Sequence, residues 1–265
     1  MANPMIPEPI DATQASTSTE DQRSPGVLRG QVWLTIQTRQ AQQLVRGRNG
    51  TAEKPAITGL VGFANQLRVI WQAARNDDPY ADWWLIKVHE TLDGARQLIN
   101  KRQTEVDARL DQMTAMDVVV AESLRPYRVP LRFANPYAYR GARLIAEYDT
   151  LVRTVLTGMH IGLLDSETSD GLLKPCTRRM RGVFAQPQNY RSLGIDREAV
   201  HKGTGKAARA AESMGIVPDD VLRGERRAPL APRPMQFPKG FAAHIGLTPI
   251  AESQSTPSET KNDDA

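Results

Sequence analysis

The amino-acid sequence of 265 residues predicts a mainly α-helical protein with a short N-terminal β-strand, a small second extended or β element, and disordered tails. Two patterns support the ordered part of this fold class. Apolar residues recur every three or four positions over several long stretches, and residues 31–38 alternate between two faces. The polar composition of both ends supports the tails. We predict a disordered tail (1–26), a strand with helices (27–114), a helical domain with a basic stretch (115–222), a Pro/Arg-rich arm (223–251) and a disordered acidic tail (252–265).

The composition excludes several classes of protein. Apolar residues make up 40% of the chain and charged residues 24%, which is typical of a soluble globular protein. The single cysteine, Cys176, excludes an internal disulfide and a Cys-based zinc site, and we interpret it as a small buried apolar residue. No stretch has the apolar length of a membrane span, and the N-terminus lacks a signal-peptide pattern. We therefore expect a cytoplasmic protein.

Positive charge is concentrated in the body of the chain. Each tail carries a net charge of −3, so residues 27–251 carry +10 although the whole chain carries only +4. Residues 171–210 alone carry +7 and include Arg178, Arg179 and Arg181. Such a body is compatible with a polyanionic partner, although basic surfaces also serve solubility alone.

The strand at 31–38 has one polar face. Val32, Leu34 and Ile36 alternate with Gln31, Trp33, Thr35 and Gln37. Gln and Thr side chains hydrogen-bond to base edges, and a two-stranded ribbon fits the major groove of DNA. An ordinary edge strand with a solvated face has the same pattern. Because a lone strand is unstable, its partner must be another chain or a later strand within 117–134.

Two helices follow this strand. Thr38 is a suitable N-cap for a helix from Arg39 to about residue 45, and Thr58 for a second helix to about residue 74. Between them, Arg46 and Arg48 lie in a glycine-containing loop. The loop is suited either to phosphate contact or simply to solvent.

Aspartates and prolines mark the next helix starts. Asp78 and Pro79 predict the N-terminus of a helix that continues to about residue 113, with Asp82 in its first turn. This capping account explains the aspartates better than a metal site does. Asn135 and Pro136 begin another helix, which runs to about residue 164.

The remaining segments are shorter or more ambiguous. Residues 118–120, all valine, indicate a strand. Alternation returns at 128–133, where Arg128 and Arg132 point outward, and Pro130 confines this segment to an edge. We also expect an ion pair between Asp149 and Arg153, a helix over 170–185, and two short helices near 195–200 and 207–214.

Four segments of the sequence resemble a family of integrating conjugative element proteins that is similar to AcaB-like transcriptional regulators. They are GQ..L...TRQA..L..GR at 30–48, DDPYADW at 77–83, PLRFANPYAY at 130–139 with EYD and GMH further on, and RAPLAP at 227–232. The resemblance implies a DNA-binding ribbon-helix-helix element. Its ribbon would be 31–38, its helices 39–45 and about 58–74, and the ribbon would pair with its copy in a homodimer.

We therefore expect a DNA-binding transcriptional regulator encoded on an integrating conjugative element, acting on double-stranded DNA of promoter regions. The alternative is a non-catalytic scaffold or accessory protein that binds the conjugation machinery. No motif indicates an enzyme, a cofactor or a metal. The predicted DNA contacts are Gln31, Trp33, Thr35, Gln37, Arg39, Arg46, Arg48, Arg128, Arg132, Arg178, Arg179 and Arg181.

Overall fold

A computed structural model describes residues 30–113 and 116–235 of the chain. The prediction of a mainly helical fold with two short β elements is confirmed. The predicted disordered tails lie outside the described residues. The elements are β1 (Val32–Ile36), α1 (Arg39–Arg46), α2 (Leu60–Arg75), α3 (Pro79–Asp111), β2 (Tyr127–Leu131), α4 (Pro136–His160), α5 (Ser166–Ala185), a 3-10 turn (Gln186–Asn189), α6 (Arg197–His201), α7 (Gly205–Met214) and α8 (Asp219–Leu222).

The predicted N-caps of three helices are confirmed. Thr38 caps α1, Asp78 caps α3 and Asn135 caps α4, each accepting a backbone N–H two or three residues ahead. Helix α2 differs, because it begins after Gly59 rather than at Thr58 and has no side-chain cap. A Cβ on Gly59 would lie 2.4 Å from the backbone N of Gly47, so the close approach of the two segments requires glycine there.

The two strands form one antiparallel sheet within the chain. Leu34 pairs with Val129 and Thr35 with Arg128. This is the pairing within one chain that the sequence left open, beside the ribbon shared between two chains that the family resemblance implies. One edge of β1 is thus joined to β2, and pairing with a copy of itself in a homodimer stays a prediction.

The strand predicted over the valines 118–120 is wrong. This segment runs beside α4, where the Ala121 N–H donates to Thr157 Oγ1 at 3.0 Å and the Ala121 carbonyl accepts from Arg153 Nε at 2.9 Å. Its backbone is thus satisfied by side chains of a helix instead of a neighbouring strand. Val119 is 82% exposed, so the β-branched run does not contribute to the core.

One hydrophobic core extends through both of the predicted units, from Leu34 to Ala228. Helices α3 and α4 pack most extensively within it, and the sheet packs on α4 through β1. Cys176 is fully buried, as expected, and burial raises the pKa of its thiol to about 11. Within the described ranges, no helix is long and apolar enough to cross a membrane.

Asp82 has a larger role than helix capping. Its carboxylate is fully buried and accepts from Arg227 Nε at 3.0 Å and Nη2 at 2.8 Å, and also from Arg197. These contacts fix the residues after α8 onto the start of α3. The arm continues along the body, where the Leu230 N–H donates to the hydroxyl of Tyr137.

Candidate nucleic-acid interface

The outer face of the two-stranded sheet gathers several of the predicted DNA contacts. Trp33 lies opposite Pro130 and Thr35 opposite Arg128 in the strand register, and all four side chains are exposed. The Arg128 guanidinium lies 5.1 Å from the centre of the Trp33 ring, a cation–π contact that holds both groups over the sheet. Exposed residues continue this face at the sheet's end: Gln31 before β1 and Arg132 after β2.

A buried carboxylate fixes the sheet to the helical body. Asp149 on α4 is only 4% exposed and accepts from the Gln37 N–H at 2.8 Å, the Thr38 N–H at 2.9 Å and Thr38 Oγ1 at 2.6 Å. The predicted ion pair between Asp149 and Arg153 is wrong, because Arg153 instead pairs with Glu122. Asp149 therefore fixes the junction between β1 and α1.

Gln37 does not share the outer face of the sheet. β1 ends at Ile36, so the alternation of the strand does not extend to residue 37. The half-buried Gln37 side chain turns inward, and its Oε1 accepts from the Ser123 N–H at 2.9 Å. The side-chain oxygen of Gln37 thus holds the segment that leads into β2.

Two of the predicted arginines belong to α1. Arg39 is exposed at the first position of α1. Arg46, in the last turn of α1, lies 5.1 Å from the centre of the Tyr127 ring at the start of β2. Its charge is therefore held next to one end of the sheet.

A second group of predicted residues lines a groove between α1 and α5. The groove has a volume of about 350 Å³ and combines guanidinium groups with side-chain amides. Arg48 is fixed there by backbone pairing with Ile57 and by donation from Nη2 to the Pro55 carbonyl at 3.0 Å. The other polar residues lining the groove are Gln40, Gln43, Thr177 and Arg181.

The other two predicted arginines of α5 do not line this groove. Arg178 and Arg179 are both exposed. The Arg179 guanidinium rests against α3, where a Cβ on Gly94 would lie 2.6 Å from Nη2. The structure therefore does not bring Arg179 into the groove with Arg48 and Arg181.

The predicted contacts keep their positive charge available. No ion pair among residues 30–113 and 116–235 uses an arginine that we assigned to DNA contact. Other cations of the basic stretch are neutralised: Lys174 pairs with Asp170, and Arg197 with Asp82. The net charge of +7 over residues 171–210 therefore overstates the positive charge that a polyanion would meet there.

Comparison with known proteins identifies the family. A family model described as the transcriptional regulator AcaB matches residues 24–234. A crystal structure of selenomethionine-containing AcaB from uropathogenic E. coli has a TM-score of 0.51 and 17% sequence identity, with the match covering 74% of this chain and 95% of that one. This likeness shows a shared fold. No curated protein sequence matches the chain. The chain belongs to the AcaB family of transcriptional regulators.

Proposed function

We propose that the chain is a DNA-binding regulator of transfer genes, encoded on an integrating conjugative element, and that it reads DNA with the outer face of its sheet. The observation that carries this proposal is the convergence of Trp33, Thr35 and Arg128 on one exposed, fixed surface. A two-stranded antiparallel ribbon is narrow enough to enter the major groove. Its side chains would then meet base edges directly.

Each exposed side chain has a defined role in this arrangement. The Thr35 hydroxyl and the Gln31 amide donate to and accept from base edges. Arg128 and Arg132 donate either to guanine or to phosphate, and Trp33 packs against a thymine methyl group or a base plane. The cation–π contact with Trp33 orients Arg128 before binding and so lowers the entropic cost of ordering it.

The groove between α1 and α5 supplies the non-specific part of the affinity. Arg48 and Arg181 line it without a carboxylate partner among the described residues. Such cations bind backbone phosphate and release counterions, which makes affinity depend on salt. Arg39 and Arg46, at the two ends of α1, add further positive charge.

The test compares promoter fragments of the element with unrelated DNA of equal length by fluorescence anisotropy at two salt concentrations. We expect Thr35→Ala to reduce discrimination between them by about 1–3 kcal/mol. Arg181→Ala should weaken binding to both DNAs alike and reduce the salt slope by about 0.9 for one lost phosphate contact. Arg109→Ala removes the same charge from an exposed position on α3 and serves as the control.

Two results would overturn the proposal. One is the absence of binding at low salt, and the other is equal affinity for promoter and unrelated DNA. Co-purification with transfer proteins and without nucleic acid would favour the alternative, a role as scaffold or accessory in conjugation. The Pro/Arg-rich arm could serve such a partner, but its residue Arg227 is turned toward Asp82 of its own chain.

A further inference from the structure

A groove beside α2 is distinct from the groove between α1 and α5. It has a volume of about 850 Å³ and runs between α2 and the segment that follows the 3-10 turn. Val69, Trp71 and Ala73 of α2 line one side, and Ile195 lies on the other. Val69 is 40% exposed, so this apolar lining is not covered by the described part of the chain.

The acidic groups of this groove already have partners within the chain. Asp78 accepts from the hydroxyl of Tyr190 at 2.7 Å and from backbone N–H groups of α3. Asp196 accepts from the Ala199 N–H at the start of α6. What remains for a further occupant is the apolar surface, together with the polar residues that also line the groove: Arg68, Gln72, Arg75, Asn76 and Ser192.

The arm reaches the edge of this groove. The Met235 N–H donates to the carbonyl of Arg75, a groove residue, at 2.7 Å. The described part of the chain therefore ends at the edge of this groove. An extended chain spans about 3.3–3.6 Å per residue, so a segment of a few residues that continues from Met235 is long enough to reach the apolar lining.

The sequence that follows has the composition of an occupant. Residues 236–251 contain Phe237, Phe241 and Ile245 at intervals of four, and they contain no acidic residue. The acidic residues resume only at Glu252. This stretch is thus far less polar than the tail after it.

We propose that residues 236–251 dock into the groove of their own chain, with Phe237 and Phe241 against Val69 and Trp71. The arm would then continue along the body beyond Met235 and cover the exposed part of α2. The proposal is independent of DNA binding by the sheet.

Disulfide trapping in the full-length chain tests the docking. Val69→Cys combined with Phe237→Cys places one thiol in the groove and one in the proposed occupant. The matched control combines Phe237→Cys with Val61→Cys, which lies on the same helix about 12 Å away and is also exposed. The native Cys176 is fully buried and stays out of the reaction. The variants are oxidised with oxidised glutathione, and the products are identified by mass spectrometry.

We expect the groove pair to form an intramolecular disulfide roughly tenfold or more faster than the control pair, at a rate independent of protein concentration. Equal rates for the two pairs would overturn the proposal. So would disulfides between two chains, which would make a second copy the occupant.

A labelling experiment provides a second measurement. In the full chain, the thiol introduced by Val69→Cys should react with a maleimide several-fold faster after Phe237→Ser and Phe241→Ser are added. The thiol introduced by Val61→Cys should show no such change. An unchanged rate at position 69 would show that the segment does not cover the groove.

Discussion

Removing the carboxylate of Asp149 should destabilise the protein more than any surface substitution does. Asp149 is separated from Gln37 and Thr38 by more than one hundred residues, yet it accepts two backbone N–H groups and one hydroxyl from them. Asp149 is only 4% exposed, so water cannot easily take the place of its carboxylate as the acceptor. Asp149→Ala leaves all three donors without this acceptor.

The magnitude follows from these three contacts. A hydrogen bond to a charged group contributes about 1.5–3 kcal/mol, and a buried donor left unpaired costs about 1–3 kcal/mol. Gln37 and Thr38 are only half-buried, so water recovers part of the loss. We expect Asp149→Ala to lower the free energy of unfolding by about 2–4 kcal/mol, a large fraction of the 5–15 kcal/mol typical of a domain. Asp149→Asn keeps one oxygen and should cost about half as much.

Urea denaturation followed by circular dichroism measures this change by linear extrapolation. Asp170→Ala is the control, because Asp170 forms an exposed ion pair with Lys174 and should contribute under about 1 kcal/mol. A double-mutant cycle with Thr38→Ala should give a coupling energy of about 0.5–3 kcal/mol. A loss from Asp149→Ala no larger than that from Asp170→Ala would refute the reasoning.

Three further predictions concern buried groups. Asp82→Asn should cost about 3–5 kcal/mol in urea denaturation, because it leaves Arg197 and Arg227 without their buried counter-charge; a loss below 1 kcal/mol would contradict this. The thiol of Cys176, whose pKa burial raises to about 11, should resist a thiol reagent at pH 8 in the native protein and react in urea. Tyr190→Phe removes a donor from Asp78, whose pKa burial already raises. The resulting loss of unfolding free energy should be full at neutral pH and smaller in acid, because the raised pKa lets Asp78 take up a proton at a higher pH than an ordinary aspartate does. Urea denaturation at pH 7 and at pH 4 measures the difference.

The sequence predicted what is decided locally. A cap and its helix are neighbours in the chain, so Thr38, Asp78 and Asn135 could be assigned from residue type and position alone. The faces of β1 followed from its alternation, and Leu34 and Ile36 are buried as that alternation requires. Both signals depend on a few consecutive residues.

The sequence did not predict what depends on distant partners. Arg153 is the nearest opposite charge to Asp149 along α4, but the partners that Asp149 finds are backbone groups brought to it by folding. Likewise, Asp82 has the pattern of a first-turn carboxylate, and nothing local indicates that Arg197 and Arg227 will reach it. The local pattern of the valines at 118–120 was misleading for the same reason.

The partner of β1 determines what a homodimer would contribute to DNA binding. If the ribbon formed between two chains, a monomer would have no complete reading surface. With β1 paired to β2 of its own chain, Trp33, Thr35 and Arg128 already lie on one surface.

A dimer would add a second complete ribbon about 34–36 Å away along the DNA, the spacing of half-sites on successive turns. We therefore expect one chain to bind a half-site oligonucleotide weakly but with sequence preference, as measured by analytical ultracentrifugation and anisotropy. If a half-site oligonucleotide is bound only by two chains together, then the ribbon that reads DNA is formed between two chains.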